Sequence, residues 1–123
     1  MSKRGDKEIL KDILEAINRI KIYTKGMDYE TFLLDTKTQD AVIRNIEIIG
    51  EAVKLLSPQI KEKYNSIPWK NIAGMRDKLI HFYFGINLDI VWDVAKNKVL
   101  ELENPIKEIL KEIKNNYKNS KQD

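Results

Sequence analysis

The chain of 123 residues has the length of one domain with a substantial hydrophobic core, and its 42% hydrophobic and 33% charged residues are typical of a globular protein. It contains no cysteine, which excludes disulfides and thiolate metal sites, and its apolar runs are far shorter than the roughly 20 residues that a membrane-spanning helix needs. The net charge of +3 permits a nucleic-acid partner without requiring one, and the N-terminus lacks the apolar segment of a signal peptide, so we expect a cytoplasmic protein with no membrane partner.

The first predicted helix lies between Asp6, a suitable N-cap, and Gly26, a suitable C′ residue. The apolar residues between them recur at helical spacing. They form one stripe, Ile9, Ile13, Ala16, Ile17 and Ile20. A short helical element over 29–34 is predicted after Asp28, a candidate cap.

The second long helix is predicted to begin at Thr36 or Thr38 and to run to about Leu56. Its apolar arc is wide, which indicates that neighbours contact this helix from more than one direction. The stripe is Val42, Ile46, Ile49, Val53 and Leu56, flanked by Ile43, Ile48, Gly50 and Ala52. Pro58 disfavours helical geometry in the residue before it and therefore ends the helix, and a helical turn over 59–64 follows.

Residues 66–68 are predicted to begin another helix, which ends at Gly85. Its apolar residues are Trp69, Ile72, Met75, Leu79, Phe82 and Phe84. Asn87 is a candidate cap for the following helix. Asn104 followed by Pro105 is a strong start signal for a last helix that ends near Ile113.

Together these elements predict a single all-α bundle of four or five helices over residues 1–113. The remaining residues, 114–123, are polar, and we expect a disordered tail there.

His81 is the only histidine of the chain, and it lies in the helix over 66–85. Asp77 precedes it by four residues, so the two share a helical face, and a carboxylate beside an imidazole suits a general acid or base. Arg76 and Tyr83, seven residues apart, lie on one line of the helix with apolar residues on both sides. Arg76 and His81 lie about 140° apart on an ideal helix, so they meet around one phosphate only if the long arginine reaches across or a second subunit completes the site.

These residues also have structural interpretations. A lone histidine on a bundle helix more often packs or faces solvent than catalyses a reaction. Arg76 could be a buried ion-pair partner of Glu47 or Glu51, and Tyr83 an amphipathic core residue. Spacing therefore indicates a site of some kind but does not identify its reaction.

The segment over 76–83 reads Arg-Asp-Lys-Leu-Ile-His-Phe-Tyr and resembles the motif of the HEPN superfamily, specifically its HepT-like toxins. That motif is an arginine, four residues, a histidine, one residue and a tyrosine. The stretches over 38–52 and 67–75 match as well, and the resemblance extends from about Glu8 to about Leu110. Three blocks in this order are far more specific than the spacing of two residues.

The resemblance implies a homodimeric helical toxin that acts as an RNA endonuclease without a metal or another cofactor. Arg76 and His81 carry over as the catalytic pair, with Asp77 as the adjacent polar support. It also implies a partner protein, a minimal nucleotidyltransferase antitoxin that neutralises the toxin by transferring AMP to the motif tyrosine. That tyrosine is Tyr83 in this chain.

Four polar residues of the second long helix, Arg44, Asn45, Glu47 and Glu51, could line the cleft, although ion pairs and hydrogen bonds within the bundle explain them equally well. The alternative function is a non-catalytic helical module that binds a nucleotide or phosphate and docks a nucleotidyltransferase. The presence of both Arg76 and His81 favours the ribonuclease, because a docking module has no need of the pair.

Overall fold

The computed structural model describes residues 5–79 and 87–122, with side chains as far as Asn116. Within these ranges the chain is helical and contains no strand, which confirms the all-α expectation. The elements are α1 (Asp6–Thr24), α2 (Tyr29–Leu33), α3 (Thr36–Leu55), α4 (Pro58–Lys63), α5 (Trp69–Ala73), α6 (Met75–Leu79), α7 (Leu88–Asp93), a π-helical turn (Val94–Lys98) and α8 (Val99–Gln122). The bundle consists of α1, α3, the pair α5 and α6, and the continuous run from α7 to α8.

The core lies where α1 packs along α3 on one side and along α8 on the other. Every residue of the stripes predicted for α1 and for the second long helix is buried. The second helix, α3, also contacts α2, α5, α6 and α7, which confirms that it is approached from several directions. Burial of these aliphatic side chains removes apolar surface from water and is the main stabilising contribution to the bundle.

Several helix starts follow from local side-chain chemistry. Asp28 accepts a hydrogen bond from the backbone N–H of Thr31 at 2.8 Å and begins α2, and the Asn87 side chain begins α7 in the same way. Asp35 begins α3 because its carboxylate accepts from both the N–H and the hydroxyl of Thr38. Hydrogen bonds from the side chain and then the backbone of Thr31 lower the pKa of Asp28, and those from the backbone and then the side chain of Thr38 lower the pKa of Asp35.

The start of α1 differs from the prediction. Gly5 occupies the N-cap position, and Asp6 is the first residue of the helix. The Asp6 carboxylate instead accepts from the backbone N–H of Ser57 at 2.8 Å and from the Ser57 hydroxyl at 2.6 Å. It therefore ties the beginning of α1 to the junction of α3 and α4. The other end agrees with the sequence, since Gly26 has a φ of 75°.

The single helix predicted from 66–68 onward is divided. It begins at Trp69, and Gly74 separates α5 from α6. Glycine weakens a helix interior because its backbone has more freedom to lose, so a break at Gly74 costs little. The predicted end at Gly85 lies outside the described residues.

The prediction that a last helix starts at Asn104 and Pro105 is wrong, because α8 runs through both residues. Four residues on one face of this continuous helix are buried, Val99, Leu102, Ile106 and Ile109. The free energy gained by burying them exceeds the cost of the backbone hydrogen bond that a proline inside a helix cannot make. The helix also continues past the predicted end at Ile113 as far as Gln122. The division into a domain over 1–113 and a tail over 114–123 stays a prediction.

Candidate functional site

Arg76 lies in the first turn of α6, and its side chain is 52% exposed. Its Nε lies 3.8 Å from Oε2 of Glu47 on α3. Glu47 was one of the two ion-pair partners expected for Arg76, but the pair is not buried. The guanidinium is therefore accessible to a ligand while an acidic side chain holds it from one side.

Glu47 also pairs with a second arginine. Nη1 of Arg44, one turn earlier on α3, lies 3.8 Å from the same carboxylate oxygen. Glu47 is 25% exposed, whereas Arg44 is 71% exposed. We call Arg44, Glu47 and Arg76 the arginine–glutamate cluster. Both distances exceed hydrogen-bonding range, so the contacts are electrostatic attractions rather than hydrogen bonds.

The cluster forms because α3 and α5 approach closely one turn after Glu47. A Cβ placed on Gly50 would lie 3.2 Å from the backbone oxygen of Ala73 and 3.6 Å from that of Ile72. The absence of a side chain at Gly50 thus lets the end of α5 lie against α3. Leu79 is buried at the other end of α6. The two contacts hold α6, and Arg76 with it, beside Glu47.

The other predicted cleft residues of α3 are not part of the cluster. The Asn45 side chain is 4% exposed and donates to the backbone oxygen of Ala41 at 2.8 Å. Its Oδ1 has no hydrogen-bond partner among the described residues. Glu51 pairs with Lys54 at 3.5 Å and lines a groove between α1 and α3, to which Arg44 of the cluster also contributes.

Asp77 is exposed on α6, next to Arg76. The predicted contact of Asp77 with His81 stays a prediction, because His81 lies outside the described residues. The same holds for Tyr83. The structure thus brings together Arg76, Glu47 and Arg44 from the predicted set.

A cavity that sequence reasoning missed lies between α5 and α6 on one side and α7 and α8 on the other. Its volume is about 710 Å³. Its lining is mainly apolar, with Ile72, Met75, Val94 and Leu102 among the contributors. No local pattern in the sequence predicts it, because the lining residues come from segments far apart in the chain.

Tyr64 lines this cavity and links the end of α4 to α8. Its hydroxyl donates to Glu112, and Nζ of Lys63 lies 3.1 Å from the other carboxylate oxygen. The two donors lower the pKa of Glu112, the hydrogen bond from Tyr64 most. Burial and the bond to Glu112 raise the pKa of Tyr64. This group stabilises the junction of two helices and is separate from the arginine–glutamate cluster.

Comparison with known proteins decides the family. Residues 13–109, which include the whole cluster, match a family model described as ribonuclease HepT-like. The chain belongs to the HepT-like ribonuclease family. This confirms the resemblance carried by the segment over 76–83 and by the stretches over 38–52 and 67–75.

Relatives from three organisms agree with the family model. A "Putative RNase" of Methanocaldococcus jannaschii is 48% identical over 98% of this chain and 99% of its own length. A "Putative RNase" of Caldanaerobacter subterraneus is 46% identical over 85% of this chain and 94% of its own. A "Probable ribonuclease HepT" of Thermococcus cleftensis is 44% identical over 89% and 99%. No solved structure matches the chain.

Membership of the HepT-like family supports a function of the ribonuclease type. In the described part of the chain, no helix has both the length and the apolar character required to cross a bilayer. Residues 5–79 and 87–122 likewise hold no group of three histidine, cysteine or acidic side chains arranged to bind a metal ion.

Proposed function

We propose that this HepT-like chain is a metal-independent RNA endonuclease in which Arg76 binds the scissile phosphate and His81 transfers protons. The observation that carries the proposal is the state of Arg76, half exposed inside the matched family region and held by Glu47. An arginine is always charged and matches phosphate with two parallel hydrogen bonds. Glu47 leaves that side chain accessible while limiting where it can point.

The reaction uses the substrate's own 2′-hydroxyl as the nucleophile. A base removes the 2′-hydroxyl proton, O2′ bonds to phosphorus, and the bond from phosphorus to O5′ breaks. An acid then gives a proton to the leaving O5′. The products are a 2′,3′-cyclic phosphate and a 5′-hydroxyl. Arg76 stabilises the charge that develops on the phosphorane oxygens, and Asp77 supports the imidazole of His81.

A homodimer is part of the proposal. The reaction needs a base and an acid, but each chain contains a single histidine. A two-fold axis that brings two copies of the motif to one cleft supplies the second imidazole. The expected species in solution is therefore a dimer, and a fully active monomer would contradict this step.

We further propose that the chain is the toxin of a toxin–antitoxin pair. Its partner is a minimal nucleotidyltransferase that takes AMP from a nucleoside triphosphate and bonds it to the Tyr83 oxygen, with pyrophosphate leaving. Tyr83 follows His81 by two residues, and on an ideal helix it shares a line with Arg76, so an attached nucleotide would obstruct access of RNA phosphate. The expected mark is an added AMP mass on the Tyr83 peptide after expression with the partner.

The decisive experiment is incubation of the purified chain with total cellular RNA in EDTA. Wild type should give discrete fragments that end in a 2′,3′-cyclic phosphate, and His81→Ala and Arg76→Ala should give none. Lys107→Ala is the matched control, because Lys107 is also a half-exposed cation beside a glutamate, at 3.7 Å from Glu103. It should cleave like wild type.

Absence of cleavage by an unmodified wild-type chain would refute the nuclease. The alternative function, a module that binds nucleotide or phosphate and docks a nucleotidyltransferase, would then replace it. Growth of cells distinguishes the two functions independently. Wild type should be toxic when expressed alone and His81→Ala should be harmless, whereas a docking module predicts equal tolerance of both.

A further inference from the structure

The arginine–glutamate cluster contains a second accessible arginine to which the proposed reaction assigns no role. We propose that Arg44 binds a phosphate of the RNA backbone, and that Glu47 is a positioning residue that holds Arg44 and Arg76 as one two-arginine site. This inference rests on the proposed function. It adds a substrate-binding residue from α3 and a role for the acidic side chain between the two arginines.

Geometry places both cations at one point of the surface. One carboxylate oxygen of Glu47 lies 3.8 Å from a nitrogen of each arginine, so those two nitrogens are at most twice that distance apart. Arg76 reaches this oxygen through Nε, so its two terminal nitrogens are not engaged in that contact. Arg44 is the most exposed member of the cluster. Both guanidinium groups therefore keep donors available for phosphate oxygens.

Charge within the cluster itself also favours a phosphate. Two arginines and one glutamate leave the cluster with one net positive charge. At 3.8 Å, neither ion pair is a charge-assisted hydrogen bond, which is shorter. A phosphate can therefore attract both guanidiniums without breaking a hydrogen bond to Glu47. The Glu47 carboxylate limits the orientations of the two guanidinium groups and attracts them again when the product leaves.

The chain offers a matched control in a second shared carboxylate. Glu103 on α8 lies 3.1 Å from Nζ of Lys21 and 3.7 Å from Nζ of Lys107, and its side chain is 17% exposed. Glu103 is not part of the proposed site, because its ion pair with Lys21 joins α8 to α1. A purely structural function of Glu47 would make Glu47→Gln and Glu103→Gln behave alike.

The first test separates turnover from binding of an RNA substrate that wild type cleaves. Glu47→Gln keeps the shape of the side chain and removes the negative charge. We expect kcat to fall by about ten-fold to a hundred-fold, because a misplaced phosphate-binding group affects the transition state most, while KM does not rise. Glu103→Gln should leave both constants at the wild-type values. Equal kinetics for Glu47→Gln and Glu103→Gln would overturn the positioning role.

The second test does not require cleavage. Binding of a 2′-O-methyl oligonucleotide, which lacks the nucleophile, is measured against salt concentration. Each phosphate contact to a single strand contributes about 0.7 to the slope of log K against log salt. Arg44→Gln should therefore lower the slope by about 0.7, and Arg44→Lys should restore it because the charge returns. Lys107→Gln, which removes an exposed cation from the other carboxylate cluster, should bind like wild type.

An unchanged slope for Arg44→Gln, or a wild-type chain that does not bind the oligonucleotide, would overturn the inference about Arg44. Because this oligonucleotide cannot be cleaved, the result does not depend on the nuclease reaction. A chain that binds it through Arg44 but cleaves no RNA would refute the proposed function and leave Arg44 as a phosphate-binding residue. If the wild-type chain cleaves RNA but the Arg44→Gln variant keeps the wild-type slope, the proposed function stands and the inference about Arg44 is overturned.

Discussion

Replacement of Pro105 by alanine should stabilise this protein. Pro105 lies inside α8, where its ring nitrogen cannot donate the backbone hydrogen bond that every other residue type can make. The continuous helix is retained because its apolar face is buried against the bundle. Alanine at this position would restore the missing donor and remove the steric conflict with the preceding turn.

The magnitude follows from two opposing effects. Proline inside a helix costs about 3 kcal/mol relative to alanine. The half-buried ring of Pro105 loses about two methylene groups on substitution, each contributing about 0.8 kcal/mol when fully buried, so lost burial opposes the gain by roughly 1 kcal/mol. The free energy of unfolding should therefore rise by about 2 kcal/mol. In a domain of this size, that corresponds to a thermal midpoint about 6–10 °C higher.

The measurement is thermal unfolding followed by circular dichroism, at one fixed protein concentration because an oligomer's midpoint depends on concentration. Lys111→Ala, an exposed substitution on the same helix, is the control and should leave the midpoint near wild type. An unchanged or lower midpoint for Pro105→Ala would refute the reasoning. It would mean that Pro105 stands in the first turn of a separate helix, where its missing N–H costs nothing.

Three further experiments test other parts of the bundle. Ile46→Ala should lower the free energy of unfolding in urea by about 3–4 kcal/mol because Ile46 is fully buried, and a loss below about 1 kcal/mol would contradict its place in the core. Asp6→Ala and Ser57→Ala should show a coupling energy of at least about 1 kcal/mol in a double-mutant cycle, since their two hydrogen bonds join α1 to α4, and additive effects would argue against that link. Tyr64→Phe should destabilise the protein at about pH 7 and less at about pH 3. The pKa of Glu112 is lower in the folded state than in the unfolded state. The stability that its carboxylate contributes is therefore present above the unfolded-state pKa and is lost as the pH falls through the folded-state pKa. A difference between wild type and Tyr64→Phe that does not depend on pH would contradict this.

The sequence predicted those parts of the fold that depend on local or periodic chemistry. The buried stripes of α1 and α3 were recognisable because helical spacing places one face of each against the core. Asp28 and Asn87 were recognisable as caps because such side chains accept from the N–H groups of a first turn. Pro105 and Asp6 were misread because the deciding contacts come from distant segments. Apolar packing continues α8 through the proline, and Ser57 binds the aspartate.

The same distinction applies to the site. The sequence indicated Arg76 as a site residue and Glu47 as one of two candidate ion-pair partners, since a cation flanked by apolar residues needs an acidic neighbour. It did not predict the exposure of Arg76 or its connection to Arg44 through one oxygen. Both depend on the close approach of α3 and α5 at Gly50, and a helical wheel describes one helix rather than the spacing between two.

The two shared carboxylates of this bundle differ in a way that matches different roles. Glu103 holds Lys21 within hydrogen-bonding distance and thereby joins α8 to α1. Glu47 holds its two arginines at a longer distance, and exposed ion pairs of this kind contribute only about 0–1 kcal/mol. A tight pair would bind an arginine at the expense of the substrate. In the proposed site, a weak pair would let the guanidinium turn to a phosphate at little cost and return to the same place before the next substrate arrives.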